Sequence, residues 1–157
     1  MLSKEYYRMK LAEALQERAD TNRRIEQLRT RLINNALKQE GEEPSEDPEE
    51  LMKELDSCIR KQTDLIAKIN LANAKTAADG KTLTELIAQK DMLTVQISAY
   101  RDLINEASLT YQRARNSEIR ILSSVNVKEL QKKADHLSAL LRKIDNKIQE
   151  TNWLTEI

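Results

Sequence analysis

The amino-acid sequence predicts an all-α protein, an elongated antiparallel four-helix bundle made of two long helical hairpins with coiled-coil-like seams. Three observations lead to this prediction. Charged residues make up 33% of the 157-residue chain, whereas aromatic residues make up only 3%. The chain contains two glycines and two prolines, too few for the many turns of a β-sandwich or barrel. Between a few loop signals, apolar residues recur every three or four positions, the spacing of a helix that buries one face.

The chain has the length of one ordinary domain, so we expect a single helical domain over residues 1–157. Three loop signals divide this domain into four segments. The predicted helices are helix 1 over 1–40, helix 2 over 49–78, helix 3 over 83–115 and helix 4 over 127–151. Helices joined by short loops pack as antiparallel neighbours.

Three of the four predicted helix starts have a recognisable capping signal. Gly41 favours a helix C-terminus, and Asp47-Pro48 favours an N-cap followed by the first turn of helix 2. Thr82 and Glu85 have the spacing of a capping box at the start of helix 3. Asn126 gives the corresponding signal for helix 4. The segment 116–125 that precedes it has no helical periodicity, and its stretch 119–122 could be extended.

Helix 3 carries more apolar surface than one seam requires. At about 100° per residue, a second apolar row lies roughly 135° around the helix from the first. This row consists of Ala88, Met92, Val95, Ala99 and Leu103. Helix 1 should also span roughly 55 Å at about 1.5 Å per residue, more than the diameter of about 40 Å of a compact globule of this length. Both observations predict a homo-oligomer.

Polar residues interrupt the apolar seams of all four helices. If the hairpins fold back antiparallel and share an end, these residues meet in one layer. The predicted layer contains Arg18, Asn22, Asn70, Asn73, Lys90, Asp91, Asn146 and Glu150. Because buried polar groups must be paired, the layer is either a hydrogen-bonded network that fixes register or a pocket for a small polar ligand.

No other set of residues has the composition of a catalytic or metal site. The single histidine, His136, cannot provide the Glu-x-x-His pairs of di-metal bundles. The single cysteine, Cys58, lies on a seam, as a small buried hydrophobe does. The acidic loop over 40–50 lacks the ligand spacing of an EF-hand. We therefore expect no catalytic, cofactor-binding or metal-binding residues, and no enzyme activity.

The charge pattern bears on partners and compartment. The 26 basic and 26 acidic side chains balance, so no global field attracts nucleic acid or an anionic membrane. Acidic residues interrupt the one local basic cluster, and no nucleic-acid-binding motif accompanies it. This cluster contains Arg113, Arg115, Arg120, Lys128, Lys132 and Lys133. No signal peptide or long apolar run is evident, and a free thiol suits a reducing compartment. We expect a cytoplasmic protein whose partner is itself, without nucleic-acid or membrane binding.

Several stretches of the chain carry a family resemblance. They are Met9–Leu15 with Arg18-Ala19-Asp20, Gln39–Glu42 with Glu46-Asp47-Pro48, Asp79–Thr84, Ser117–Arg120 and Ile148–Trp153. In these stretches the chain resembles a family of small uncharacterised bacterial proteins, some of which carry the label septicolysin. The resemblance extends over nearly the whole chain from Met9. The label implies a membrane-damaging toxin, but the resemblance implies no cofactor or catalytic residue at these positions.

These observations favour a non-enzymatic, oligomeric helical scaffold or interaction protein. Two alternatives belong to other functional classes. The polar layer would make the protein a small polar-ligand-binding bundle, and the family resemblance would make it a septicolysin-like membrane-active protein. Neither the protein partner nor the oligomer number follows from the sequence.

Overall fold

The computed structural model describes residues 8–109 and 121–157, and within them it confirms the all-α prediction. The helices are α1 (Leu11–Asn34), α2 (Pro48–Lys75), α3 (Leu83–Ala107) and α4 (Val127–Leu154), and the strands are β1 (Ala77–Ala78) and β2 (Lys81–Thr82). The strands form a small antiparallel ribbon. The chain divides into two compact units, of which the first holds Met1–Thr76 with Thr151–Ile157 and the second holds Ala77–Glu150.

The first unit is built on the antiparallel hairpin of α1 and α2. Three ion pairs between its two arms join Glu17 to Lys61, Arg24 to Glu54 and Arg31 to Glu46. Later residues of α1 pair with earlier residues of the second arm, which is the antiparallel arrangement that the sequence predicted. Apolar side chains at three- and four-residue spacing fill the core, and Leu11, Leu28 and Ile69 are completely buried.

The prediction that helix 1 includes residues 8–10 is wrong. Residues 1–7 lie outside the described residues, and residues 8–10 are not helical. Lys10 forms an isolated antiparallel bridge with Glu156. The backbone N–H of Leu11 donates to the carbonyl of Thr155 at 2.9 Å, and that of Ile157 donates to the carbonyl of Met9 at 2.9 Å. This pairing with the C-terminal segment replaces a helical turn before Leu11.

The predicted end of helix 1 at residue 40 is also wrong, because Asn35 ends the helix. Its side-chain Nδ2 donates to the carbonyl of Arg31 at 2.9 Å, and its Oδ1 accepts from the backbone N–H of Glu46 at 3.0 Å. Asparagine side chains compete in this way with helical hydrogen bonds. The 24 residues of α1 span about 36 Å, so the helix is not too long for a compact unit. Its length no longer supports self-association.

The capping signals at the other three helix starts are confirmed. The Asp47 side chain accepts from the backbone N–H of Glu49 at 2.9 Å. Thr82 and Glu85 form the predicted capping box, in which the backbone N–H of Thr82 donates to the Glu85 carboxylate at 2.7 Å. Asn126 accepts from a backbone N–H in the first turn of α4. The predicted C-termini are less accurate, since α2 ends at Lys75 and α3 at Ala107.

Strand β1 of the ribbon lies where helix 2 was predicted to continue to residue 78. Asp79 and Gly80 link the strands and both have positive φ, 53° and 79° respectively. Asp-Gly is a preferred pair for the tight turn of a two-residue β-hairpin, because both central residues adopt positive φ. The local sequence therefore contained the signal for this ribbon.

Gly80→Ala should destabilise the protein by about 1 kcal/mol, because a side chain at a positive φ is strained. Nothing lies within 4 Å of the added Cβ, so the loss would come from the backbone alone. Urea unfolding measures the difference. Asp79→Asn is the control and should change stability by less than about 0.5 kcal/mol, since Asn tolerates this conformation. Equal effects of both variants would contradict the backbone explanation.

The second unit contains the ribbon, α3 and most of α4. Lys90 Nζ lies 2.5 Å from Asp145 Oδ1, and Lys133 Nζ lies 5.2 Å from the centroid of the Tyr100 ring. The first contact joins an early residue of α3 to a late residue of α4, and the second joins a later residue of α3 to an early residue of α4. The two helices are therefore antiparallel. The predicted seams are buried, with Leu83, Leu86, Leu93 and Ile97 on α3 and Ala134, Ile144 and Ile148 on α4.

Candidate functional site

The second apolar row predicted on α3 is exposed in the structure. We call it the outward row, and it consists of Ala88, Met92, Val95, Ala99 and Leu103. Met92 is 63% exposed, Val95 60% and Leu103 41%. The buried seam of α3 lies on a different side of the helix, as the spacing predicted. The outward row is therefore an apolar strip of a regular helix that residues 8–109 and 121–157 leave exposed.

The edge of the outward row is acidic. At about 100° per residue, Asp91 and Asp102 fall along one side of the row, and uncharged Gln96 falls along the other. Both aspartates are exposed. The basic residues of α3, Lys90 and Arg101, lie roughly on the opposite side of the helix from the row. Any partner that covers this strip meets apolar side chains bordered by negative charge.

The predicted polar layer is not brought together in the first unit. Because Glu17 pairs with Lys61, Arg18 lies level with Arg60. Asn70 is ten residues further along α2, about 15 Å away along the helix axis. Arg18 and Asn73 are half-buried, whereas Asn22 and Asn70 are exposed.

The exposure of Asn22 reflects an error in the phase predicted for the α1 seam. Thr21, its neighbour in sequence, is buried instead, and further along the helix Leu28 is buried whereas Arg29 is exposed. The observed seam runs through Ala14, Arg18, Thr21, Ile25 and Leu28. Asn22 therefore does not interrupt the apolar face of α1, and it does not need a buried hydrogen-bond partner.

The polar residues predicted in the second unit are only partly grouped. Lys90 and Asn146 border the same shallow depression of about 310 Å³, together with Leu141, Arg142 and Asp145. The charge of Lys90 is already paired with Asp145, a partner that the sequence analysis did not identify. Asp91, Asn146 and Glu150 are exposed, and Glu150 lies 3.4 Å from Lys147.

The connection between α1 and α2 contains the most exposed large apolar side chains of the first unit. We call residues 33–49 the hairpin tip. Leu37 is 91% exposed and Ile33 is 74% exposed. A depression of about 660 Å³ adjoins Leu37. It is lined by Asn35, Ala36, Leu37, Lys38, Glu43, Pro44, Asp47, Pro48 and Glu49. The sequence analysis assigned residues 33–40 to helix 1 and treated residues 40–50 as an acidic loop, so it missed these exposed apolar residues.

Polar contacts hold the hairpin tip in one conformation. Arg31 Nε lies 2.9 Å from Glu46 Oε2, and Arg31 Nη2 also donates to the same carboxylate. This hydrogen bond lowers the pKa of Glu46 below its ordinary value of 4.5 and raises the pKa of Arg31. Lys38 Nζ lies 3.0 Å from Glu43. Together with the two hydrogen bonds of Asn35, these contacts join the two sides of the loop.

The lowered pKa of Glu46 predicts an acid-sensitive tip. The Arg31 contact should stabilise the fold fully above about pH 4.5, the ordinary carboxyl value, and lose this effect as pH falls through the lower folded-state pKa. The difference in urea midpoint between wild type and Glu46→Gln should therefore be largest at neutral pH and disappear in acid. A difference that stays constant down to pH 3 would contradict the assignment.

The other residues singled out from the sequence do not assemble a site. Cys58 is half-buried, and His136 is exposed. Within residues 8–109 and 121–157, no three His, Cys, Asp or Glu side chains are placed to hold a metal ion. In the same part of the chain, no helix combines the length and apolar character needed to cross a membrane. Of the basic cluster, Arg113, Arg115 and Arg120 lie outside the described residues.

Comparison with known proteins gives a family and a solved structure. The model of a family described as "Family of unknown function (DUF6847)" matches residues 18–157. A crystal structure of a functionally unknown conserved protein from Corynebacterium diphtheriae is 34% identical, covers 96% of this chain and 99% of its own, and has a TM-score of 0.88. No curated protein matches. The septicolysin label predicted from the resemblance receives no support from these matches.

Proposed function

Since this chain belongs to that family of unknown function, we propose from its own geometry that it is a non-enzymatic helical scaffold that associates with further copies of itself through the outward row of α3. The exposed apolar strip on α3 carries this proposal. Soluble proteins seldom leave a continuous apolar strip on a regular helix without a use for it. A second copy can cover the strip with its own, which is the self-complementary contact of most homodimers.

The size of the strip sets the expected strength of association. Fully burying a Val, Leu or Met side chain contributes about 1.5 to 3 kcal/mol. Met92, Val95 and Leu103 are already partly covered in the single chain, so each contributes only part of this. Two copies together would gain roughly 5 to 9 kcal/mol, against an association cost of about 4 kcal/mol or more. The net gain is then at most about 5 kcal/mol, so we expect a weak, reversible complex with a dissociation constant of about 0.2 mM or higher.

The acidic edge of the strip predicts how salt affects the complex. Asp91 and Asp102 of two copies would approach each other when the rows meet, and like charges repel. Salt screens such repulsion over about 10 Å at 0.1 M, and it does not weaken the burial of apolar surface. Self-association should therefore become tighter as salt rises.

Size-exclusion chromatography with light scattering tests this proposal. We expect the average mass to rise above the 18.1 kDa of one chain as the protein concentration is raised from about 10 µM to about 2 mM, a range that brackets a dissociation constant of about 0.2 mM. The rise should begin at lower protein concentration in high salt. A mass of one chain throughout, at both low and high salt, would overturn the proposal.

A further inference from the structure

We propose that the hairpin tip is a docking site for a lysine- or arginine-rich segment of another protein that carries an apolar anchor residue. Leu37 is 91% exposed, the most of any large apolar residue in the described part of the chain, and Ile33 one turn before it is 74% exposed. Leu37 lines an open depression of about 660 Å³ whose surface is about half apolar. An apolar residue that is exposed beside a concave surface is the usual form of a binding hot spot.

The tip is arranged before any partner arrives. Asn35 is buried and bridges the end of α1 to the backbone of Glu46. The forked contact of Arg31 with Glu46 spans the same gap. A loop that is already held in place loses little conformational entropy on binding, so more of the contact energy appears as affinity. Leu37 is exposed on a loop whose two ends these contacts join.

The charge of the tip selects the chemistry of its partner. Between residues 36 and 50 the chain has seven acidic residues and one basic residue, Lys38. Lys38 is paired with Glu43, and Glu46 with Arg31. Among the described residues, Glu40, Glu42 and Glu49 form no ion pair, and Glu49 lines the depression. This negative field repels nucleic acid, anionic membranes and the same tip of a second copy, and it attracts a cationic segment.

The cationic partner must also contribute apolar surface. Half of the depression is formed by groups such as Ala36, Leu37 and Pro44 that cannot pair with a charge. Lysine and arginine side chains have apolar stems that cover such groups while their charged ends reach the glutamates. A segment that combines these residues with one leucine-like anchor fits both features of the tip.

Fluorescence anisotropy with three synthetic peptides and the full chain tests the proposal. The first peptide is an amphipathic repeat of leucine and lysine, the second replaces lysine with glutamate, and the third replaces leucine with serine. We expect saturable binding of the first peptide alone. Its affinity should fall at least tenfold between about 50 and about 300 mM salt, because screening weakens opposite-charge attraction. This salt response is opposite to that of self-association, so failure of one proposal is distinguishable from failure of the other.

Two pairs of variants locate the site. Leu37→Ser should weaken binding of the leucine–lysine peptide at least tenfold, whereas Leu71→Ser, which changes a leucine that is 55% exposed on α2, should leave it within twofold. Glu49→Gln should weaken binding two- to fivefold, and Asp56→Asn, an exposed acid elsewhere on α2, should not. Unchanged binding by Leu37→Ser overturns the proposal, as does absence of binding by the wild type. Loss of binding on Val95→Glu instead would place the peptide on α3 and would also overturn it.

Discussion

Val95→Glu is expected to keep the protein in its single-chain form at concentrations at which the wild type associates. Val95 is the middle residue of the outward row and is 60% exposed in the single chain. A carboxylate at this position would be buried without a partner in the complex, and an unpaired buried charge is strongly unfavourable. We expect the dissociation constant to rise by at least a factor of ten, which corresponds to about 1.4 kcal/mol. Light scattering at several protein concentrations measures the change.

The control for this variant is Thr94→Glu. Thr94 is the preceding residue on α3 and is also exposed, but it points about 100° away from Val95. The Thr94→Glu variant introduces the same charge, and its dissociation constant should stay within about twofold of the wild-type value. Thermal unfolding at low concentration should be similar for both variants, because neither side chain is buried in the single chain. Equal loss of association in both variants would mean that net charge, and not the outward row, controls it.

Leu28→Ala should produce the largest loss of stability, about 3 kcal/mol. Leu28 is completely buried in the first unit, and truncation of a buried leucine typically costs about 2 to 5 kcal/mol through lost burial and the cavity left behind. Urea unfolding followed by circular dichroism measures the loss. The fluorescence of Trp153, the one tryptophan of the sequence, follows the first unit specifically, because this residue belongs to it.

The comparison of the two probes also tests the predicted single cooperative domain. If the two compact units unfold together, both probes should report the same shifted midpoint in Leu28→Ala. Leu71→Ala is the control, since Leu71 is 55% exposed, and it should cost less than about 1 kcal/mol. A fluorescence midpoint that falls while part of the circular dichroism signal keeps its original midpoint would show that the units unfold separately.

The starts of α2, α3 and α4 were predictable from the sequence because their signals are local. The caps formed by Asp47, Thr82 and Asn126 involve residues two or three positions apart, so their spacing is visible in the chain. The end of α1 was not predictable in this way. Asn35 stops the helix by accepting a hydrogen bond from Glu46, eleven residues later. Such a contact depends on the folded loop, and helical periodicity alone does not reveal it.

This error also explains why Arg18 was wrongly placed level with Asn70. Extending helix 1 to residue 40 moves the centre of the hairpin turn towards α2, and every predicted pairing across the hairpin shifts with it. The ion pair of Glu17 with Lys61 fixes the actual register. The outward row of α3 was predicted correctly because its spacing within one helix does not depend on any register between helices. Its biological partner is a property of a second molecule, which no pattern within one helix specifies.

The hydrogen bond between Met9 and Ile157 brings together two residues that are 148 positions apart in sequence. The backbone N of Ile157 lies 2.9 Å from the carbonyl O of Met9. A fluorescent label attached at residue 157 would therefore lie beside the N-terminus of α1.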